Sequence, residues 1–72
     1  MELTLFTSTN CAYCPIVKNQ LETKGVDYHL VNVDDNPELA SQLGIMSVPT
    51  IVDEEENIFT GLNKSLEKIN TL

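Results

Sequence analysis

At 72 residues with 42% hydrophobic side chains, the chain has room for one small core and no second module. Eleven Asp and Glu against four Lys and no Arg give a formal charge of −7, which argues against binding nucleic acid or an anionic membrane surface. No positively charged leader with an apolar segment precedes the first strand and no apolar run reaches membrane-spanning length, so a cytoplasmic, reducing setting is expected.

Glu2 to Phe6 alternates Leu3 and Leu5 with Thr4 and Phe6, apolar on both faces, and is predicted as a strand in the middle of a sheet. The polar run Thr7 to Asn10 offers N-cap oxygens to a helix predicted over Cys11 to Lys24. Pro15 falls in its first turn, where no intrahelical N–H bond is lost, and Gly25 can close it in a left-handed conformation. Tyr28 to Val33 is rich in β-branched and aromatic residues and predicts a second strand, parallel to the first across a right-handed βαβ crossover.

Asp34-Asp35-Asn36-Pro37-Glu38 is a helix-start signal, with Asp35 or Asn36 as N-cap, and Gly44 stops the helix. In Gly44-Ile45-Met46-Ser47-Val48-Pro49-Thr50 the proline would remove a ladder donor from a central strand. Either the third strand begins after it or the Val48–Pro49 bond is cis in a turn. The acid run Asp53 to Asn57 reads as a solvated hairpin tip leading to Ile58-Phe59-Thr60. Leu62, Leu66, Ile69 and Leu72 recur at helical spacing, with Asn63 as N-cap. The predicted order is βαβαββα, an α/β domain over residues 1–72 with a four-stranded mixed sheet flanked by three helices.

The chemistry lies in Cys11-Ala12-Tyr13-Cys14-Pro15. Thiols two residues apart at a helix start close a disulfide with little backbone motion, and helix N-terminal N–H groups favour the thiolate. Cys14, Val17 and Leu21 share one apolar stripe, so Cys14 is expected to face the core and to act as resolving thiol, with Cys11 exposed at the tip as nucleophile. A purely structural disulfide closing so short a loop contributes only about 2 kcal/mol. A zinc site needs two more ligands where the chain offers only His29, so no metal is expected. His29 lies inside the second strand, remote in sequence from the thiols, and reads as a partly exposed strand residue rather than a catalytic base. Adjacent acids before a helix, as at Asp34 and Asp35, read as caps.

With Cys11-Ala12-Tyr13-Cys14 after the first strand, Ser47-Val48-Pro49-Thr50 before the third and Gly61 between the fourth strand and the last helix, the chain resembles the glutaredoxin family of the thioredoxin superfamily over essentially its whole length. The resemblance implies a thioredoxin-like (glutaredoxin) fold with a cis Val48–Pro49 bond beside the cysteines and the Val48 backbone pairing to substrate. It also implies a groove lined by Tyr13, with Pro49, Gly61 and Asn63 as further substrate-binding positions. The implied activity is thiol–disulfide oxidoreduction, in which Cys11 attacks a disulfide of a protein and Cys14 releases the product.

The expected protein is a monomer without tightly bound cofactor, with glutathione or thioredoxin reductase as electron source. Where many family members carry Gly-Gly followed by an acid, this chain reads Gly61-Leu62-Asn63, and Ser8, Thr9 and Asn10 before the cysteines are neutral. These departures point toward the small redoxins that serve ribonucleotide reductase and are recharged by thioredoxin reductase. A different class, a dimer bridging an iron–sulfur cluster through Cys11 and glutathione, is the competing expectation.

Overall fold

The computed structural model describes residues 3–72. Its elements follow the order β1 (Leu3–Thr7), α1 (Cys14–Thr23), β2 (Tyr28–Asn32), α2 (Pro37–Leu43), β3 (Thr50–Val52), β4 (Ile58–Thr60) and α3 (Leu62–Asn70). The predicted βαβαββα order therefore holds; of the predicted first strand, Glu2 lies outside the described residues. The sheet has the strand order β2-β1-β3-β4. β1 pairs parallel with β2, β3 pairs antiparallel with β1, and β4 pairs antiparallel with β3.

β1 is central because its side chains are apolar on both faces. Leu3 and Leu5, with Ile51 opposite Leu5, form one core with Val17 and Leu21 of α1 and Ile69 of α3. Phe6 and Thr50, also opposite each other, point to the second face and are fully buried as well. α2, whose buried residue is Ala40, is the helix not engaged in the first core.

Element ends follow local rules with two corrections. The helix predicted from Cys11 begins at Cys14, with Tyr13 as N-cap and no side-chain cap, so the Thr7 to Asn10 run does not cap it. Pro15 stands at the first helical positions, which lets the helix start there but not earlier in a regular turn. The N-cap of α3 is Gly61 rather than Asn63, which lies inside the helix. Gly61 takes φ 89° and ψ 168°, a region essentially reserved for glycine, and no L side chain at that position could set the same entry into α3. α2 starts behind Asn36, with no side-chain cap, and stops at Gly44, whose left-handed backbone lets its N–H reach the carbonyls of Ala40 and Ser41.

The β3–β4 hairpin is closed by a residue that was expected at the surface. Asp53 is buried, while Glu54, Glu55 and Glu56 are exposed. Its Oδ1 accepts the N–H groups of Glu55 at 3.0 Å and Asn57 at 2.9 Å, and its Oδ2 accepts the Asn57 amide at 3.1 Å. Lys68 of α3 places Nζ 3.4 Å from Oδ2 and 5.2 Å from the centre of the Phe59 ring. Burial pushes the Asp53 carboxyl up, but the hydrogen bonds from Asn57 and Glu55 and the Lys68 ammonium outweigh it and hold the group below its ordinary value. α3 is fastened to β4 a second time by the buried Ser65, whose hydroxyl donates to the Phe59 carbonyl at 3.3 Å.

Candidate active site

Strand register gathers the site at one end of the sheet. β1 ends at Thr7, beside Asn32 of β2, and Val33 N–H continues the ladder to the Thr7 carbonyl at 2.8 Å. Phe6 faces Thr50, which puts Pro49 at the same end, and Thr50 faces Thr60, which puts Gly61 there too. Gly61 N–H donates to the Pro49 carbonyl at 2.8 Å. The dithiol loop, the turn after β2, the Val48–Pro49 turn and the start of α3 all leave the sheet at this end.

Cys11 and Cys14 form a disulfide with Cα atoms 5.5 Å apart. The two residues are not equivalent. Cys14, on the Cys14, Val17, Leu21 stripe of α1, is 5% exposed, whereas Cys11 is half-buried in the bend before the helix. The Cys14 N–H donates to Cys11 Sγ at 3.1 Å. Because Tyr13 is the N-cap, this N–H belongs to the first helical residue and is one of the donors no helical carbonyl can satisfy. Cys11 thus sits just ahead of the helix and still receives one of its free amides.

The other predicted positions separate into those that meet and one that stands apart. Tyr13 is 55% exposed next to the disulfide, and its carbonyl accepts the Ile16 and Val17 N–H groups. The Val48–Pro49 bond is cis, with Pro49 buried and Val48 half-buried. The Thr50 hydroxyl ties this turn to the strand by donating to the Ser47 carbonyl at 2.7 Å. Gly61 touches the turn through the Pro49 bond. Asn63 is exposed in the first turn of α3 and makes none of the side-chain hydrogen bonds found among the described residues. His29 is exposed opposite Thr4, three residues back from the Thr7 end, or about 10 Å along the strand.

Four further residues belong to this end. Asp34 accepts the Thr9 N–H at 2.9 Å and so braces the loop that carries Cys11; it is not a helix cap. Twenty-five positions separate the two residues, and no local pattern announces such a bond. The Ser8 carbonyl accepts the Cys11 N–H at 3.4 Å, and Ser8 lines two openings, of which one also contains both cysteines. The larger is a groove of about 660 Å³ walled by Val33, Ala40, Ile45, Met46 and Val48, with Met46 96% exposed. Met46 directly precedes Ser47-Val48-Pro49, and an apolar residue in so short a turn was the available signal. Lys18 is in the smaller opening.

A disulfide between a half-buried and a buried cysteine lies at the same end of the sheet as a cis-proline turn, and the fold that carries them is shared with solved proteins. The chain matches the glutaredoxin-like NrdH-redoxin of Escherichia coli, described for its thioredoxin-like activity profile, with a TM-score of 0.83 and 29% identity, covering 100% of this chain and 95% of that one. It matches thioredoxin 1 of Thermosipho africanus TCF52B with a TM-score of 0.74 and 25% identity over 99% and 89% of the two chains. The protein is therefore a thiol–disulfide oxidoreductase of the thioredoxin-like fold.

Sequence comparison narrows the class. A thioredoxin of Methanocaldococcus jannaschii is 37% identical over 67 residues, 85% of this chain and 79% of that one. The glutaredoxin-like protein NrdH of Escherichia coli K12 is 33% identical over 55 residues, 72% and 68% of the respective chains. The glutaredoxin family model matches residues 3–58, and the chain belongs to the glutaredoxin family.

Proposed function

We propose that the protein reduces disulfides of protein substrates through Cys11 as attacking sulfur and Cys14 as resolving sulfur. The unequal exposure of the two cysteines carries this assignment. In the reduced protein the Cys14 N–H remains in place to donate to a Cys11 thiolate, and a hydrogen bond to the charged form lowers a thiol pKa. The Cys11 thiolate attacks one sulfur of the substrate; a mixed disulfide forms, and the other substrate sulfur leaves as a thiolate that takes a proton from water. Cys14 then gives its proton to solvent and attacks Cys11 Sγ, the Cys11–Cys14 bond forms, and the second substrate sulfur leaves. The dithiol loses two electrons and the substrate gains two. A reductant returns both electrons and restores the two thiols.

The groove along Met46 and Val48 takes the residues flanking the substrate disulfide. The Val48 backbone pairs with an extended substrate segment, Tyr13 forms the opposite lip, and Pro49 with Gly61 closes the floor. Asn63 marks the outer rim.

For the reductant we infer thioredoxin reductase rather than glutathione. Similarity to a glutaredoxin-like redoxin with a thioredoxin-like activity profile supports this reading, as do Ser8-Thr9-Asn10, which offers no cation to a glutathione carboxylate, and Gly61-Leu62-Asn63, which lacks the acid of the glutathione-binding pattern. No helix among the described residues is long and apolar enough to cross a membrane. NADPH consumption with insulin as substrate tests it. Turnover with thioredoxin reductase is expected; turnover only with glutathione and glutathione reductase overturns the reductant, and none with either overturns the activity.

A further inference from the structure

The four lysines have different company. Lys64 lies 4.0 Å from Glu67, Lys68 is held by Asp53 and Phe59, and Lys24 is at the C-terminal end of α1. Lys18 instead lines a cleft of about 280 Å³ together with both cysteines of the disulfide, Pro15, Leu30 and the Thr7–Thr9 turn. It is the only charged residue of that lining. It stands four residues after Cys14 on α1, and helical side chains lean back over the preceding turn, here toward Cys14 and the bend that holds Cys11.

We propose that Lys18 is a positioning residue for the reaction, its ammonium stabilising the Cys11 thiolate from within the cleft the two residues share. The inference rests on Cys11 being the attacking sulfur. The local charges favour it. The acid nearest the loop in hydrogen-bonding terms, Asp34, is turned onto the Thr9 N–H, and the exposed Tyr13 is not part of the cleft lining. Leu30, 51% exposed on the edge strand, and Pro15 give the cleft apolar walls, which strengthen a charge–charge interaction relative to open water. A chain of net charge −7 disfavours one more anion, so a single cation placed here acts against the field of the rest.

The test is the pH dependence of iodoacetamide alkylation in a Cys14→Ser background, where Cys11 is the sole thiol. Lys18→Gln is expected to raise the midpoint by about half a pH unit and to slow alkylation below it about threefold. Lys18→Arg keeps the parental midpoint, and Lys18→Glu moves it further up. Salt at 1 M shrinks the differences by screening. Lys64→Gln removes the same net charge elsewhere and leaves the midpoint in place. A Lys18→Gln midpoint equal to the parent at low salt overturns the proposal, as does an equal shift from Lys64→Gln. Should Cys11 titrate like an ordinary free thiol in every variant, including the Lys18-intact parent, the attacking role of Cys11 falls and this inference with it.

Discussion

The two ends of the sheet are held by different means. At the Asp53 end, one carboxylate collects three hydrogen bonds and a lysine, all from groups that belong to the hairpin and α3. At the Cys11 end, shape comes mainly from backbone: a proline-started helix, a cis peptide and a glycine in a region closed to other residues, with separate side-chain bonds linking Asp34 and Asn32 to Thr9 and Thr50 to the Ser47 carbonyl. A site that must exchange covalent partners keeps its reacting side chains free of such bonds, so its geometry is set largely by the chain itself. The structural end has no such requirement and can use its polar groups up.

That contrast can be broken or sharpened by substitution. Cys11→Ser is expected to lower disulfide reduction by at least on the order of a thousandfold, since no other thiol is accessible, with thermal stability of the reduced protein hardly changed. Loss of activity accompanied by unfolding would mean that the reactive end also carries the fold.

Gly61→Ala comes next. A Cβ there meets no atom within 4 Å, so its cost is conformational, about 1 to 3 kcal/mol for a residue forced into that region. In a domain of this size, whose whole stability is about 4 to 11 kcal/mol, denaturant titration detects this easily. An unchanged midpoint would show that the turn can relax without glycine.

Asp53→Asn keeps the oxygen that accepts the Glu55 and Asn57 N–H groups and removes the charge facing Lys68. Its Tm is expected to fall by several degrees at neutral pH with activity intact. The Asp53 carboxyl is held below its ordinary 3.8, so the folded protein releases that proton more readily than the unfolded chain. The stabilisation is complete above the ordinary value and is lost as pH falls below it through the lowered one. The Tm difference between the two proteins should therefore close below about pH 4; a gap that persists there would assign the effect to packing rather than charge.

Met46→Ser is the smallest effect on stability, since the side chain is almost wholly in solvent. It is expected to raise KM for a protein disulfide about two- to fivefold with kcat nearly unchanged, the loss of one apolar contact to substrate. A change in kcat with KM untouched would remove the groove from substrate binding.

Much of this was legible before any coordinates. The strand and helix order followed from the alternation in β1, the β-branched run in β2 and the glycine stops at Gly25 and Gly44, all of which are local. Cys14 was expected inside because it shares a helical stripe with Val17 and Leu21, and it is inside. The helix start was misplaced by three residues because N-cap residue preferences outweighed the proline signal, although Pro15 at the first positions was the better marker. The acid run 53–57 was read as uniformly solvated because charge alone does not say which carboxylate has donors around it.

What the sequence determined by itself is everything that depends on neighbours along the chain: the element order, the spacing that lets two sulfurs bond, and the stripe that buries one of them. What only the tertiary structure decided is which distant pieces share an end of the sheet. Strand register brings Thr9 to Asp34, Pro49 to Gly61, and Lys18 into a cleft with Cys11 and Leu30. Register is fixed by burying the alternating Leu3, Leu5 and Ile51 against two helices, a condition on the whole core that no short stretch of residues contains.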